Sequence, residues 1–182
     1  MKIIETGIKD LIVIDVNVFG DERGYFYESF NEKSWKEEVG YLPNFVQDNE
    51  SMSHQGVLRG LHFQKPPHAQ AKLVRVVKGS VLDVAVDLRK NSPTYGQSFK
   101  MKLSEENKKQ LFIPQGFAHG FLTLEDNTIF SYKCTDFYNK ESEEGLLWND
   151  ESLGIDWGFK EPLLSEKDKY YKIFTSFVTP FI

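Results

Sequence analysis

One cysteine, Cys134, stands in a chain of 182 residues, so no disulfide can form within it and a reducing compartment is expected. No apolar run approaches the length that crosses a bilayer, and no basic start followed by an apolar core opens the sequence. Neither a membrane span nor secretion is therefore expected, and the expected location is cytoplasmic. Basic residues are outnumbered: 22 Lys and Arg against 27 Asp and Glu leave a net charge of -5, which argues against broad nucleic-acid binding. One anionic ligand is still compatible, because a local basic cluster can hold it whatever the total charge. Long Pro/Gly/Ser tracts, charge blocks and repeats are missing too. Residues 1–182 are thus expected to form one domain, able to bury roughly 70% of its unfolded surface. No dinucleotide fingerprint is present, since Gly116-Phe117-Ala118-His119-Gly120 lacks the required glycine spacing.

Aromatics, by contrast, make up 14% of the chain, which suits a barrel or a ring-binding pocket. Strand-like runs dominate. Leu82, Val84, Val86 and Leu88 alternate with Asp83, Ala85 and Asp87, the period of a strand with one apolar face. Lys78-Gly79-Ser80 reads as a hairpin turn joining that strand to Leu73–Val77. Further strands are expected over residues 12–18, 25–30, 45–50, 57–63, 99–103, 109–113, 119–124 and 128–138. Two helices stand out: Asn31 caps one over residues 32–39 with Gly40 past its end, and Ser165 with Asp168 fits a capping box opening residues 166–174. Many close-spaced strands with few helices favour an all-β, closed or sandwiched fold.

Several side chains in this pattern carry chemistry. His62 is a candidate base, since an imidazole can accept a proton at neutral pH, with a structural role as its competing reading; an aspartate on its second nitrogen would fix its tautomer, and Asp168 is a candidate for that, with a plain helix cap as its competing role. Tyr132 and Tyr138 share strand parity and would face one site as proton donor or aromatic wall, or else pack as barrel core. Lys72 shares parity with Val74 and Val76, so if the valines face inward the ammonium does too. Arg59 and His62 have opposite parity, but Gly60 between them permits a bulge that brings both to one side. Gln47 with Asn49, and Phe26 with Glu28, share faces as well.

The frame from Gly60 to Gly79 resembles a cupin metal motif whose ligands have been replaced. Gly60 and His62 open it, Phe63 and Gln64 follow where the paired histidine belongs, and Lys72 takes the glutamate's place six residues before Gly79. A lysine cannot ligate a divalent cation, and it places a positive charge of its own there, so no metal site is expected.

Taken in order, Asp21-Glu22-Arg23-Gly24, Gln47-Asp48-Asn49, Arg59 to Gln64, Ala71 to Arg75, Pro114 to Phe121, Tyr132 to Tyr138 and Leu164 to Asp168 closely resemble the dTDP-4-dehydrorhamnose 3,5-epimerase family over nearly the whole chain. Phe137 departs from the tyrosine of many members. The resemblance implies a metal-independent, cupin-type jelly-roll barrel with a few short peripheral helices, a homodimer, no cofactor, and dTDP-4-keto-6-deoxyglucose as substrate. It implies His62 as base, Asp168 as its partner, Tyr132 as proton donor and Lys72 as enolate stabiliser. Arg23, Phe26, Glu28, Gln47, Asn49, Arg59, His119, Glu143 and Lys167 would bind the nucleotide sugar, with Tyr138 stacked on thymine. Competing readings are an epimerase acting at one position or a keto-isomerase, a metal-cupin oxygenase, and a sugar-binding module that needs no His62 and Asp168 pair.

Overall fold

The computed structural model describes residues 1–182, in which thirteen strands and one regular helix alternate with short loops. In chain order the strands are β1 (Lys2–Glu5), β2 (Ile12–Asp15), β3 (Phe19–Asp21), β4 (Gly24–Phe26), β5 (Gln47–Ser53), β6 (Leu58–Gln64) and β7 (Lys72–Lys78). They continue with β8 (Ser80–Asp87), β9 (Ser98–Ser104), β10 (Gln110–Ile113), β11 (Phe117–Thr123), β12 (Thr128–Cys134) and β13 (Glu143–Gly145). A six-stranded antiparallel sheet runs β1-β2-β10-β7-β12-β5, and a five-stranded sheet runs β13-β6-β11-β8-β9; β3 and β4 pair only with each other. This is the jelly-roll arrangement of a cupin-type barrel.

Three apolar clusters hold the layers together. Between the sheets, Val74, Val76, Leu111 and Phe130 from one meet Val81, Ala85, Phe117 and Phe121 from the other. The outer face of the five-stranded sheet packs Leu61, Val84, Val86 and Leu122 against Leu153, Trp157 and Phe181 of the C-terminal segment. On the six-stranded sheet, Ile12, Ile14, Leu73 and Phe112 are covered by Trp35 of α1 (Glu32–Val39). That helix starts as its sequence predicts, with Asn31 Oδ1 accepting from the Ser34 N–H at 3.2 Å and Gly40 closing it in the left-handed region.

Four expectations change. The turn at Lys78-Gly79-Ser80 is not a hairpin, because β7 and β8 lie in different sheets. Gly79, at φ +77°, makes the corner between them, and a Cβ there would lie 2.3 Å from Thr128 Oγ1. The β8 alternation does not mark one apolar and one wet face: Val84 and Val86 meet the C-terminal segment, while Asp83 and Ala85 are fully buried on the inward side. The strand expected over 128–138 ends at Cys134, so Tyr132 and Tyr138 share a site without sharing a strand. Past Ser165 the chain forms a single 3-10 turn at Lys167–Lys169 instead of a helix to 174. The Asp168 N–H does reach Ser165 Oγ at 3.4 Å, but the carboxylate that would complete the capping box is engaged by His62.

Candidate active site

Strand register builds the pocket. Across β7, β12 and β5, directly opposed residues form rows: Lys72, Cys134 and Gln47 in one, Val74, Tyr132 and Asn49 in the next, then Val76, Phe130 and Ser51. All three rows have the parity of Val74 and Val76, which are buried in the central core, so Lys72 faces inward as its spacing predicts. On the facing sheet His62 sits opposite His119 and Gly145. Arg59 pairs with Phe121, so three steps along β6 match two along β11. That extra residue is the expected bulge, and it turns both Arg59 and His62 into the same cavity. Gly60 makes it possible: at φ +136° its α-carbon packs so tightly that a Cβ would lie 2.4 Å from the Gly120 Cα.

The cavity encloses about 710 Å³ between the two sheets. It gathers His62, Asp168, Lys72, Tyr132, Gln47, Asn49, Arg59, His119, Tyr138, Glu143 and Lys167, which is eleven of the fourteen residues expected at the site. The other three lie elsewhere. Arg23 is at the tip of the β3–β4 hairpin, its guanidinium on Asp21 at 2.5 Å; Phe26 is 66% exposed; and Glu28 accepts from Asn31 Nδ2 at 3.0 Å. Because that hairpin pairs with neither sheet, this chain does not carry them to its own pocket.

His62 Nε2 lies 2.5 Å from Asp168 Oδ1, and the carboxylate is almost wholly buried. Burial alone would raise the Asp168 carboxyl, but the hydrogen bond and charge of His62, with Ser165 and Lys167, hold it below the usual carboxylate range. An ionised Asp168 makes Nε2 the protonated nitrogen and leaves Nδ1 free to accept a proton. Opposite, the Lys72 ammonium makes no ion pair. Burial pushes it down, offset in part by Cys134, Asp83 and Glu143. Tyr132 is raised by burial and by Cys134 and Glu143 against the pull of Arg59, so its phenol stays protonated through the neutral range.

The polar rim is cross-braced. Gln47 Nε2 donates to Asn49 Oδ1 at 2.9 Å, and Gln47 Oε1 accepts the Tyr138 N–H at 3.1 Å, which is how a loop residue is held at the mouth. Lys167 Nζ reaches Glu143 Oε1 at 2.6 Å, and the Tyr138 hydroxyl donates to Glu143 Oε2 at 3.1 Å. Arg59 Nε donates to Ser53 Oγ at 3.2 Å. No three His, Cys, Asp or Glu side chains converge as metal ligands.

Sequence reasoning missed two groups. Asp83, fully buried, takes both its oxygens to within 3.0 and 3.1 Å of His119 Nε2 and so fixes that imidazole in the cavity wall. The signal was there: an acidic residue sharing parity with Val81 and Ala85 needs a partner if that face is inward. Cys134, noted for its redox meaning alone, lines the pocket beside Lys72 and accepts from Asn49 Nδ2 at 3.6 Å.

The family model for dTDP-4-dehydrorhamnose 3,5-epimerase matches residues 5–176, a span that contains every one of these side chains. The chain belongs to the dTDP-4-dehydrorhamnose 3,5-epimerase family. Among its relatives, the dTDP-4-dehydrorhamnose 3,5-epimerase of Shigella flexneri is 56% identical over 168 residues, covering 92% of this chain and 93% of that one. The crystal structure of dTDP-6-deoxy-D-glucose-3,5-epimerase from Legionella pneumophila, in complex with dTDP-4-keto-L-rhamnose, superposes with a TM-score of 0.95 at 48% identity and covers 100% of this chain and 98% of that one. A 3'-monoepimerase from Streptomyces bikiniensis, in complex with dTDP-quinovose, reaches 0.89 at 31% identity, covering 97% and 88%. Enzymes of this family are isomerases, and the chain is one of them.

Proposed function

We propose that the chain inverts carbons 3 and 5 of dTDP-4-keto-6-deoxyglucose, giving dTDP-4-keto-L-rhamnose on the route to dTDP-L-rhamnose. One observation carries the mechanism: the base and the donor project from opposite walls, His62 from the five-stranded sheet and Tyr132 with Lys72 from the six-stranded one. A sugar ring held between those walls presents one face to each. Protons at carbons 3 and 5 are acidic because both carbons adjoin the carbon 4 ketone, so one base and one cation near that oxygen serve both positions. His62 Nδ1 removes the proton and Asp168 stabilises the resulting imidazolium. Lys72 holds the enolate oxygen in place of a metal. Tyr132, a phenol that yields its proton only to a strong base, delivers it to the carbanion from the opposite face, and inversion results.

The remaining pocket residues fit the rest of the ligand. Arg59, His119 and Lys167 bring positive or hydrogen-bonding groups suited to a diphosphate, Gln47, Asn49 and Glu143 supply polar contacts, and Tyr138 offers a ring at the mouth for thymine. Arg23, Phe26 and Glu28 enter this scheme through a second copy. The hairpin that carries Arg23 and Phe26 is exposed on every residue from 19 to 26, with Phe19, Tyr25 and Phe26 all more than half exposed, as expected of a segment that reaches into the pocket of a homodimer partner. A single domain and a cytoplasmic location complete the reading, the latter in keeping with one reduced, buried cysteine.

The test is product stereochemistry by NMR after turnover of dTDP-4-keto-6-deoxyglucose in heavy water. Inversion with deuterium at both carbons 3 and 5 is expected. Label and inversion at one carbon alone would make the enzyme a single-position epimerase like the Streptomyces relative.

A further inference from the structure

The ring that packs against His62 belongs to Tyr171, with centroids 5.7 Å apart and planes at 68°. After the 3-10 turn that supplies Asp168, the chain runs beside β13 and is pinned there: the Leu147 N–H donates to the Lys172 carbonyl at 2.9 Å, and Leu146 and Lys172 form a parallel bridge. One residue before that anchor the Tyr171 ring lies over Gly145, where a Cβ would come within 2.7 Å of its carbons. Gly145 is the direct cross-strand neighbour of His62. The missing side chain at 145 is what lets the ring reach the imidazole.

We propose that Tyr171 is a positioning residue for the base, its ring holding the imidazole from the side while Asp168 holds Nε2, so that Nδ1 stays aimed into the pocket. This rests on the reading of His62 as the base. One hydrogen bond leaves an imidazole free to swing about the line from Nε2 to Oδ1, and packing against the ring removes that freedom. The two contacts come from positions 168 and 171 of one short segment, so a single element grips the base twice. The Tyr171 hydroxyl is not the working part. Burial and the charges of Glu143 and Asp168 hold the phenol above its usual value with no hydrogen bond acting on it, so the side chain serves as a neutral ring.

Steady-state kinetics and deuterium wash-in on Tyr171→Phe, Tyr171→Leu and His62→Ala test this. Tyr171→Phe keeps the ring and should stay within about twofold of wild type in kcat and KM. Tyr171→Leu should lower kcat by roughly 10-fold or more, within the 10²-fold that a misplaced group can cost, with KM little changed and wash-in into recovered substrate falling in parallel. Equal losses in both variants would assign the effect to the hydroxyl and overturn the proposal. So would a Tyr171→Leu enzyme with wild-type kcat, or one altered in KM alone. Should His62→Ala turn over normally, it is the base assignment that fails, whatever Tyr171 does. If Tyr171→Leu does not fold, the His62 ring protons of wild type and Tyr171→Phe, identified by their loss in His62→Ala, should both show nuclear Overhauser contacts to the ring protons at position 171; absence of those contacts would overturn the proposal.

Discussion

Lys72 and Cys134 stand directly opposite one another on neighbouring strands of the six-stranded sheet, which sets the pocket's unpaired ammonium beside a thiol instead of a carboxylate. Protonated lysine at this place costs folding free energy, and a polar task explains why it is retained.

Lys72→Met should therefore raise the unfolding temperature at neutral pH by about 2–4 °C, the shift expected from about 1 kcal/mol in a domain of this size, while turnover falls by more than roughly 10²-fold. The sign follows from the depressed value. The cost is fully present below the folded-state value of Lys72 and is relieved as pH rises through it toward about 10.4, the ordinary lysine value. The difference between variant and wild type should shrink toward alkaline pH. A lower unfolding temperature in the variant would mean that the ammonium is paired.

Asp168 behaves oppositely. Its folded value is lowered, so its contribution to stability is present above about 3.9 and is lost as pH falls through the depressed value. Asp168→Asn should lower stability at neutral pH and converge with wild type in acid, while kcat drops by about 10²–10⁴-fold as the imidazole loses its orienting charge. Urea melts at several pH values together with initial rates check both.

Removing the base and removing the donor should differ. His62→Ala should abolish exchange and inversion together, with a loss beyond about 10²–10⁴-fold. In Tyr132→Phe, solvent deuterium should still enter recovered substrate, returned by His62 to the face it left, while inversion falls sharply. Inversion at the wild-type rate in Tyr132→Phe would assign the opposite-face proton to another group.

Tyr138→Ala should raise KM more than it lowers kcat, since stacking of a base on an aromatic ring is worth about 1–3 kcal/mol. Isothermal titration with dTDP measures it directly, and unchanged affinity would leave Tyr138 as rim packing.

Turnover should survive exhaustive dialysis against EDTA, because Lys72 occupies the position of a metal ligand. Activity lost on chelation and restored by one equivalent of a divalent cation would reverse that reading.

Much of the site was legible because strand parity is a local property. The inward aim of Lys72 followed from Val74 and Val76, and the Arg59 and His62 bulge from the glycine between them. Long-range choices were not legible. Gly79 looks the same in a hairpin as at a corner between sheets, and only the pairing of β7 with β10 and β12 decides. Both faces of β8 are covered because a distant C-terminal segment folds over one of them, so the parity that Asp83 shares with Val81 and Ala85 could not by itself decide which face turns inward. Ser165 and Asp168 carry the letters of a helix start, yet tertiary pairing with His62 takes the carboxylate that the cap would use. Arg23, Phe26 and Glu28 belong to the same run of motifs, yet they do not line this chain's pocket.

His62 and Asp168 are 106 positions apart along the chain and meet only when β6 is in place and the segment after Leu164 has wrapped across it. On the proposed assignment of His62 as base, no fragment that stops short of that segment has a working one, however well its sheets have formed. Recovered turnover during refolding should thus follow the closure of that final contact and lag the appearance of strand signal, which makes the enzyme's own reaction a clock for the end of its folding.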